Sequence, residues 1–200
     1  MTLQLKKFDM KNITFKANEN KGPVIVLIGR RDTGKTFLVR DLLYFHQDIP
    51  IGTVISGTEA GNGFYAAHVP KLFIHDEYSS ALIENILRRQ KTVLKQMKKE
   101  VEQYKRTTID PRTFVILDDC LYDNSWSRDK LMRLLFMNGR HWKVMLIVTM
   151  QYPLGISITC FTKFLLSPFQ ILIFVPSITL IKTDAIWPYF SLSAFSLGSS

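Results

Sequence analysis

Cysteine is nearly absent from this chain of 200 residues: Cys120 and Cys160 are its only two. That scarcity excludes a disulfide-stapled scaffold and fits a reducing intracellular compartment. Metal-ligand spacing is lacking too, since His141 and Cys120 stand without the paired Cys or His that a zinc site needs. The first residues, MTLQLKKFDMKN, hold no continuous apolar stretch of the signal-peptide kind. Acidic side chains are in deficit, 17 Asp and Glu against 26 Lys and Arg, giving a formal charge of +9. Such an excess favours polyanionic partners, nucleic acid or an acidic membrane surface, though it is weak on its own. What the chain does have is 46% apolar residues, enough for one sizeable core in a single domain of about 150–200 residues.

The apolar residues are patterned. NITFK, residues 12–16, alternates like a strand, and NENKG after it reads as a turn. PVIVLIG (23–29), RTFVILDD (112–119) and WKVMLIVTMQ (142–151) are continuous runs of the kind buried on both faces of a parallel sheet. GTVISG (52–57) and KLFIHD (71–76) are shorter strand candidates. Between them lie helical patterns: 35–45, with Phe37, Leu38, Leu42 and Leu43 as its apolar residues; 79–107, striped by Leu82, Ile86, Val93, Met97, Val101 and Tyr104; and 126–139, closed by Gly139. Strands alternating with helices predict a three-layer α/β fold with a mainly parallel central sheet.

Gly29, Arg30, Arg31, Asp32, Thr33, Gly34, Lys35 and Thr36 fit GxxxxGK followed by Ser or Thr, directly after a buried strand and opening a helix. Glycines let backbone N–H groups curl round phosphates, a lysine at the Lys35 position reaches the β and γ oxygens of ATP, and a hydroxyl at Thr36 ligates Mg2+. The competing reading, a basic surface turn, does not explain the strand and helix on either side. Such a loop needs a carboxylate at the end of a neighbouring strand. Asp118 is the candidate magnesium residue, and Asp119 stands where many ATP hydrolases keep the carboxylate that polarises water, usually a Glu. Helix capping is the alternative for this acidic pair.

At the end of the following strand, Thr149 and Gln151 fall near the same sheet edge. Gln151 is read as a γ-phosphate sensor or water-orienting group, or else as an ordinary polar strand end. Arg140, in NGRHW, is a candidate arginine finger toward a neighbouring subunit, or else a solvated loop residue or DNA contact. The segment 79–112 is basic, with nine Lys and Arg against four Asp and Glu. It reads equally as a track for a DNA backbone and as a solvated face beside a partner helix.

VLIGRRDTGKTFLVRDLL, FVILDDCLYDNSW and LFMNGRHWKVMLIVTMQYPLGI together resemble the genome-packaging ATPase of large nucleocytoplasmic DNA viruses, a poxvirus-type and giant-virus-type family within the FtsK/HerA superfamily. The resemblance spans about residues 20–156. It implies a P-loop NTPase of the additional-strand catalytic type that hydrolyses ATP with Mg2+ as a homo-oligomeric ring. It further implies translocation of double-stranded DNA into a preformed capsid, in the cytoplasmic virus factory of an infected cell, with capsid or inner-membrane proteins of the virion as partners. Lys35 and Thr36 match the Walker A positions, Asp118 and Asp119 match Walker B, and Gln151 matches the polar residue after the next strand. The trans-acting role of Arg140 is inferred from its place in the matching NGRH block.

After Ile156 the sequence leaves that pattern. Residues 155–200 carry only Lys163, Lys182 and Asp184 as charges, and serine, threonine and aromatics crowd the rest. The expected division is therefore an ATPase core over 1–156 and an atypical apolar tail over 157–200, marking a frameshift, an unspliced segment or a truncation. The uncharged run from Phe164 to Ile181 invites a membrane anchor, which Pro168, Gln170 and Pro176 make a poor one. A divergent soluble lobe is the third option. Two functions compete with the motor: a nucleotide-binding regulatory or scaffold protein with little hydrolysis, and a small-molecule kinase, which would need a lid and a phosphoacceptor pocket.

Overall fold

The structure, a computed structural model, describes residues 13–120, 125–151, 170–175 and 179–182. Its centre is a sheet in the order β3-β2-β4-β5-β1-β6-β7. The strands are β1 (Val24–Gly29), β2 (Gly52–Ser56), β3 (Ile74–His75), β4 (Thr113–Asp118), β5 (Val144–Met150), β6 (Gln170–Val175) and β7 (Thr179–Lys182). Every pairing is parallel except that of β6 with β7. The helices are α1 (Lys35–Phe45), α2 (Glu59–Asn62), α3 (Ser80–Tyr104), α4 (Ser125–Arg128) and α5 (Lys130–Asn138). This is an α/β fold with a mainly parallel sheet, and β5 lies between the strand of the glycine loop and the strand of the acidic pair, the additional-strand arrangement.

The two-residue period of a strand divides the core. Val24, Val26 and Ile28 of β1 join Ile83, Ile86 and Leu87 of α3 and Met132 and Leu135 of α5 on one face. Ile25 and Leu27 join Val39, Leu42 and Leu43 of α1 on the other. Each such side chain contributes about 1.5–3 kcal/mol when fully buried, so the central strands are held from both sides.

Four expectations need correction. Residues 13–16 form no strand: Ile13 and Phe15 are buried as alternation predicts, but the Phe15 carbonyl accepts from Arg112 Nη1 at 2.7 Å instead of joining a ladder. The 71–76 segment yields only Ile74–His75, after a 3-10 turn at Lys71–Phe73. The stripe of α3 is buried only in its first half, at Ile83, Ile86, Leu87 and Gln90. The helix then outruns its neighbours, leaving Val101 and Tyr104 exposed. The predicted 126–139 helix breaks at Asp129, whose carboxylate accepts the Leu131 N–H at 2.8 Å and caps α5. Its end is as expected: α5 stops at Asn138 with Gly139 as its C-cap, and a 3-10 turn runs on to Trp142, after which Lys143, φ 57°, takes the left-handed position.

The tail contributes β6, which pairs with β1 from Val24↔Gln170 to Gly29↔Val175, and β7 beside it. The run offered as a membrane segment thus supplies strand β6 to the sheet, and its other residues up to 178 lie outside the described ones, as do 157–169 and 183–200. Among the described residues no helix is long and apolar enough to cross a membrane.

Candidate functional site

β1 ends at Gly29 and α1 begins at Lys35. Between them Asp32 (φ 60°) and Gly34 (φ 86°) take left-handed backbone, a conformation that turns successive N–H groups inward and that glycine adopts without strain. No side chain caps α1 and its first turn holds no acidic residue, so its positive end is left for an anion. Lys35 is buried, and its ammonium donates to the Gly29 carbonyl at 2.8 Å and the Arg30 carbonyl at 3.0 Å. The Thr33 hydroxyl also donates to Arg30 O, at 2.7 Å. Thr36 is half-buried at the head of the helix.

The carboxylates arrive by register. Asp118 pairs with Ser56 of β2 on one side and with Thr149 of β5 on the other, while Met150 pairs with Ile28 of β1. Partners in register point to the same face, and the Thr149 hydroxyl donates to Asp118 Oδ1 at 2.5 Å while accepting the Asp119 N–H at 3.1 Å. Burial pushes the Asp118 carboxyl above its usual range and nearby Asp119 adds to the effect, outweighing the pull of Thr149, Tyr65 and Lys35. Asp119 is left-handed (φ 47°), and its Oδ2 accepts Gln151 Nε2 at 3.4 Å.

These pieces surround one cavity of about 600 Å³. Loop residues 31–36 line one side, Asp119 and Gln151 another, and Thr58, Gly61 and Asn62 a third. Asp118 lies beneath this lining, 4% exposed. The structure therefore brings together Arg31 to Thr36, Asp119 and Gln151, with Gly29 and Arg30 bound to Lys35 and Asp118 just below. It does not bring Arg140 there. Arg140 precedes β5 at the opposite sheet edge, half-buried, its carbonyl accepting the Gly22 N–H at 2.9 Å.

Sequence reasoning missed the third wall. It comes from the segment after β2, SGTEAGN, which folds back over the strand ends. Glu59, buried, accepts the N–H groups of Tyr65 (2.9 Å) and Ala66 (2.8 Å) and fixes that loop. The Tyr65 phenol is close enough to Asp118 to feel its charge; burial first, then that carboxylate, raise its pKa far above the ordinary value. Its hydroxyl nevertheless meets no partner at hydrogen-bond geometry. The signal was present: small polar residues at the carboxyl end of a parallel strand, where open α/β sheets bind ligands.

Magnesium needs few protein ligands in a phosphate site, one or two carboxylates with substrate oxygens and water completing its shell. Among the described residues no three His, Cys, Asp or Glu side chains gather as a metal cage. A buried carboxylate with a raised pKa next to a hydroxyl-bearing loop fits a divalent cation, and Thr36 and Asp118 are the residues that would hold it.

No family model matches the chain. It is 37% identical over 155 residues to uncharacterized protein L437 of Acanthamoeba polyphaga mimivirus, a match covering 77% of this chain and 52% of that one. It is 39% identical over 136 residues to uncharacterized protein 075L of Invertebrate iridescent virus 6, covering 68% and 49%, and 35% identical over 161 residues to uncharacterized protein 088R of Invertebrate iridescent virus 3, covering 78% and 58%. Among solved structures, the cytoplasmic domain of EssC is similar at 16% identity and a TM-score of 0.47, covering 78% of this chain and 32% of that one. The genome packaging NTPase B204 from Sulfolobus turreted icosahedral virus 2, in complex with ATP-gammaS, is similar at 14% identity and a TM-score of 0.39, covering 80% and 79%. The chain spans about half the length of the curated relatives it matches, and these are proteins of large DNA viruses.

Proposed function

We propose that this chain is a magnesium-dependent ATP hydrolase, the motor that drives double-stranded DNA into the capsid of a large DNA virus. The observation that carries the reading is the convergence of the glycine loop, Asp119 and Gln151 on one cavity, with Asp118 under its floor. Lys35, held by two loop carbonyls, exchanges them for the β and γ oxygens of the nucleotide. Thr36 and Asp118 would hold magnesium, which would neutralise charge on the transferred phosphoryl group. Asp119 orients and accepts a proton from the attacking water, and Gln151, already beside it, holds that pair in line.

The packaging role adds the family resemblance of residues 20–156, the viral sources of the relatives and the basic face of α3. In that role the chain works as a homo-oligomeric ring in the infected-cell cytoplasm or the virion, beside capsid or inner-membrane proteins. Arg140, remote from its own site, serves there as a finger only if a second copy presents it. A second reading, a nucleotide-binding regulator with little hydrolysis, is favoured by Asp119 itself, whose short side chain stands where most hydrolases use Glu.

The test is phosphate release by the purified chain with and without double-stranded DNA, alongside Lys35→Ala. The motor predicts turnover that DNA stimulates and that the variant lowers by about 100-fold or more. A folded protein that binds ATP without turnover supports the regulator instead.

A further inference from the structure

The cavity at the strand ends is bounded by polar side chains and glycine loop backbone, with one exception. Phe37, the residue after Thr36, lines it as well. Phe37 is one of the apolar residues whose helical spacing predicts α1, yet it is 58% exposed, and Val39, Leu42 and Leu43 take the core. Leaving a phenylalanine in water forgoes the gain of burying it, so the position calls for a use. The ring is also held: the Arg40 guanidinium, one turn on, lies over it at 4.9 Å from the centroid, a cation–π contact. A ring fixed on one face by a cation and still more than half exposed has its other face to offer.

We propose that Phe37 is the base platform of this site, on which the nucleobase of a bound nucleoside triphosphate stacks. The proposal rests on the nucleotide reading above. Lys35 and Thr36 address the β,γ end of a triphosphate, so its α-phosphate and nucleoside leave the loop toward the next residue of the helix. That residue is aromatic, preordered and inside the same cavity. Stacking uses the π-face that every base has, so the platform adds affinity for ATP and GTP alike and none for the bare phosphate chain. Exposure alone does not make the case, because Tyr44, seven residues on, is 67% exposed. Tyr44, however, lines a different hollow with His46, His68 and Phe114.

Calorimetric titration of the full chain with magnesium salts of ATP, GTP and tripolyphosphate tests this. Phe37→Ala is expected to weaken ATP and GTP by about tenfold, within the range that base stacking on an aromatic ring supports. Tripolyphosphate should stay within about twofold, Phe37→Trp should retain nucleotide affinity, and Tyr44→Ala should leave all three unchanged. Because Phe37 is exposed, circular dichroism should show Phe37→Ala folded like the parent. Unchanged ATP affinity in Phe37→Ala, with Lys35→Ala abolishing it, overturns the platform and leaves the nucleotide site standing. Equal losses for tripolyphosphate and ATP in Phe37→Ala also overturn it, since the damage would then lie in the loop. A parent chain that binds none of the three ligands overturns the nucleotide reading, and the platform with it.

Discussion

The two edges of the central sheet are built on opposite terms. At the amino-terminal edge polar groups are matched: Arg112, 5% exposed, donates to Asp48 (2.7 Å), to Asp110 (2.6 Å) and to the Phe15 carbonyl. There Thr113 Oγ1 donates to Ile51 O at 3.0 Å, and Gly22 N–H to Arg140 O at 2.9 Å. At the carboxyl edge Asp118 is buried with a raised pKa, Asp32 and Asp119 sit in left-handed backbone, and the Tyr65 hydroxyl lacks a partner. Polarity left in tension at the carboxyl edge is what a site awaiting a charged ligand leaves behind, whereas the paired groups named at the other edge contribute stability.

The sharpest way to break this contrast is Asp118→Asn. Its amide oxygen still accepts from Thr149, but the buried charge is gone. Hydrolysis should fall on the order of 100-fold, while the fold gains stability. The sign follows from the raised pKa: native Asp118 holds its proton more tightly than the unfolded chain does, so between the two pKa values stability falls as pH rises. Parent and variant should therefore denature alike below about pH 4, the unfolded carboxyl range, and the variant should pull ahead toward neutrality, by a few degrees in melting temperature. A variant that melts lower at pH 7 and still hydrolyses ATP would erase the distinction between the edges.

Arg112→Ala probes the other edge. It strips the partners from Asp110 and the Phe15 carbonyl, and should cost about 2 kcal/mol in urea unfolding. The estimate is below that for a fully buried pair because Asp48 is 65% exposed and water takes over. Burial alone would raise Asp110, but the hydrogen bonds and charge of Arg112 outweigh it and hold the carboxyl below its usual range. That contribution is present at neutral pH and lost as pH falls through the depressed pKa, so the variant should show a flatter acid limb. ATP affinity should stay within about twofold, because no group of the cavity touches Arg112; a large loss would mean that the edges are coupled.

How much of this was legible in the sequence depended on whether the signal was contiguous. β1, β4 and β5 are unbroken apolar runs and were read within a residue or two, and the glycine loop and Asp118-Asp119 are local motifs attached to two of them. Thr149 and Gln151 followed from the strand they end. Phe37 counts among the apolar residues that predict α1, but the period sets it apart from the core: a stripe through Leu42 and Leu43 reaches back one turn to Val39, and Phe37 shares its face with Asp41 and Tyr44. The far half of α3 departs from its reading because its stripe is regular yet Val101 and Tyr104 are left exposed. Glu59, Asn62 and Tyr65 were the hardest to find because a loop that folds over strand ends has no period; small polar residues after a strand were the one local signal, and the parallel register of β2 with β4 places them beside Asp118.

Tyr65 gives the smallest expected effect and the finest test of the contrast. Its ring belongs to the core on the α1 side and meets Phe64 edge to face, centroids 5.0 Å apart, so Tyr65→Phe keeps the packing and removes only the hydroxyl. An unsatisfied buried hydroxyl costs about 1–3 kcal/mol, part of which the variant should recover. We expect a gain of about 1 kcal/mol in urea unfolding at pH 7 and little change in ATP affinity. Loss of stability instead would mean that the phenol donates to Asp118 in solution, helping that carboxylate to stay charged. Tyr65 would then stand with the matched groups of the opposite edge, and the unmet polarity at the site would reduce to Asp118 and the left-handed backbone of Asp32 and Asp119.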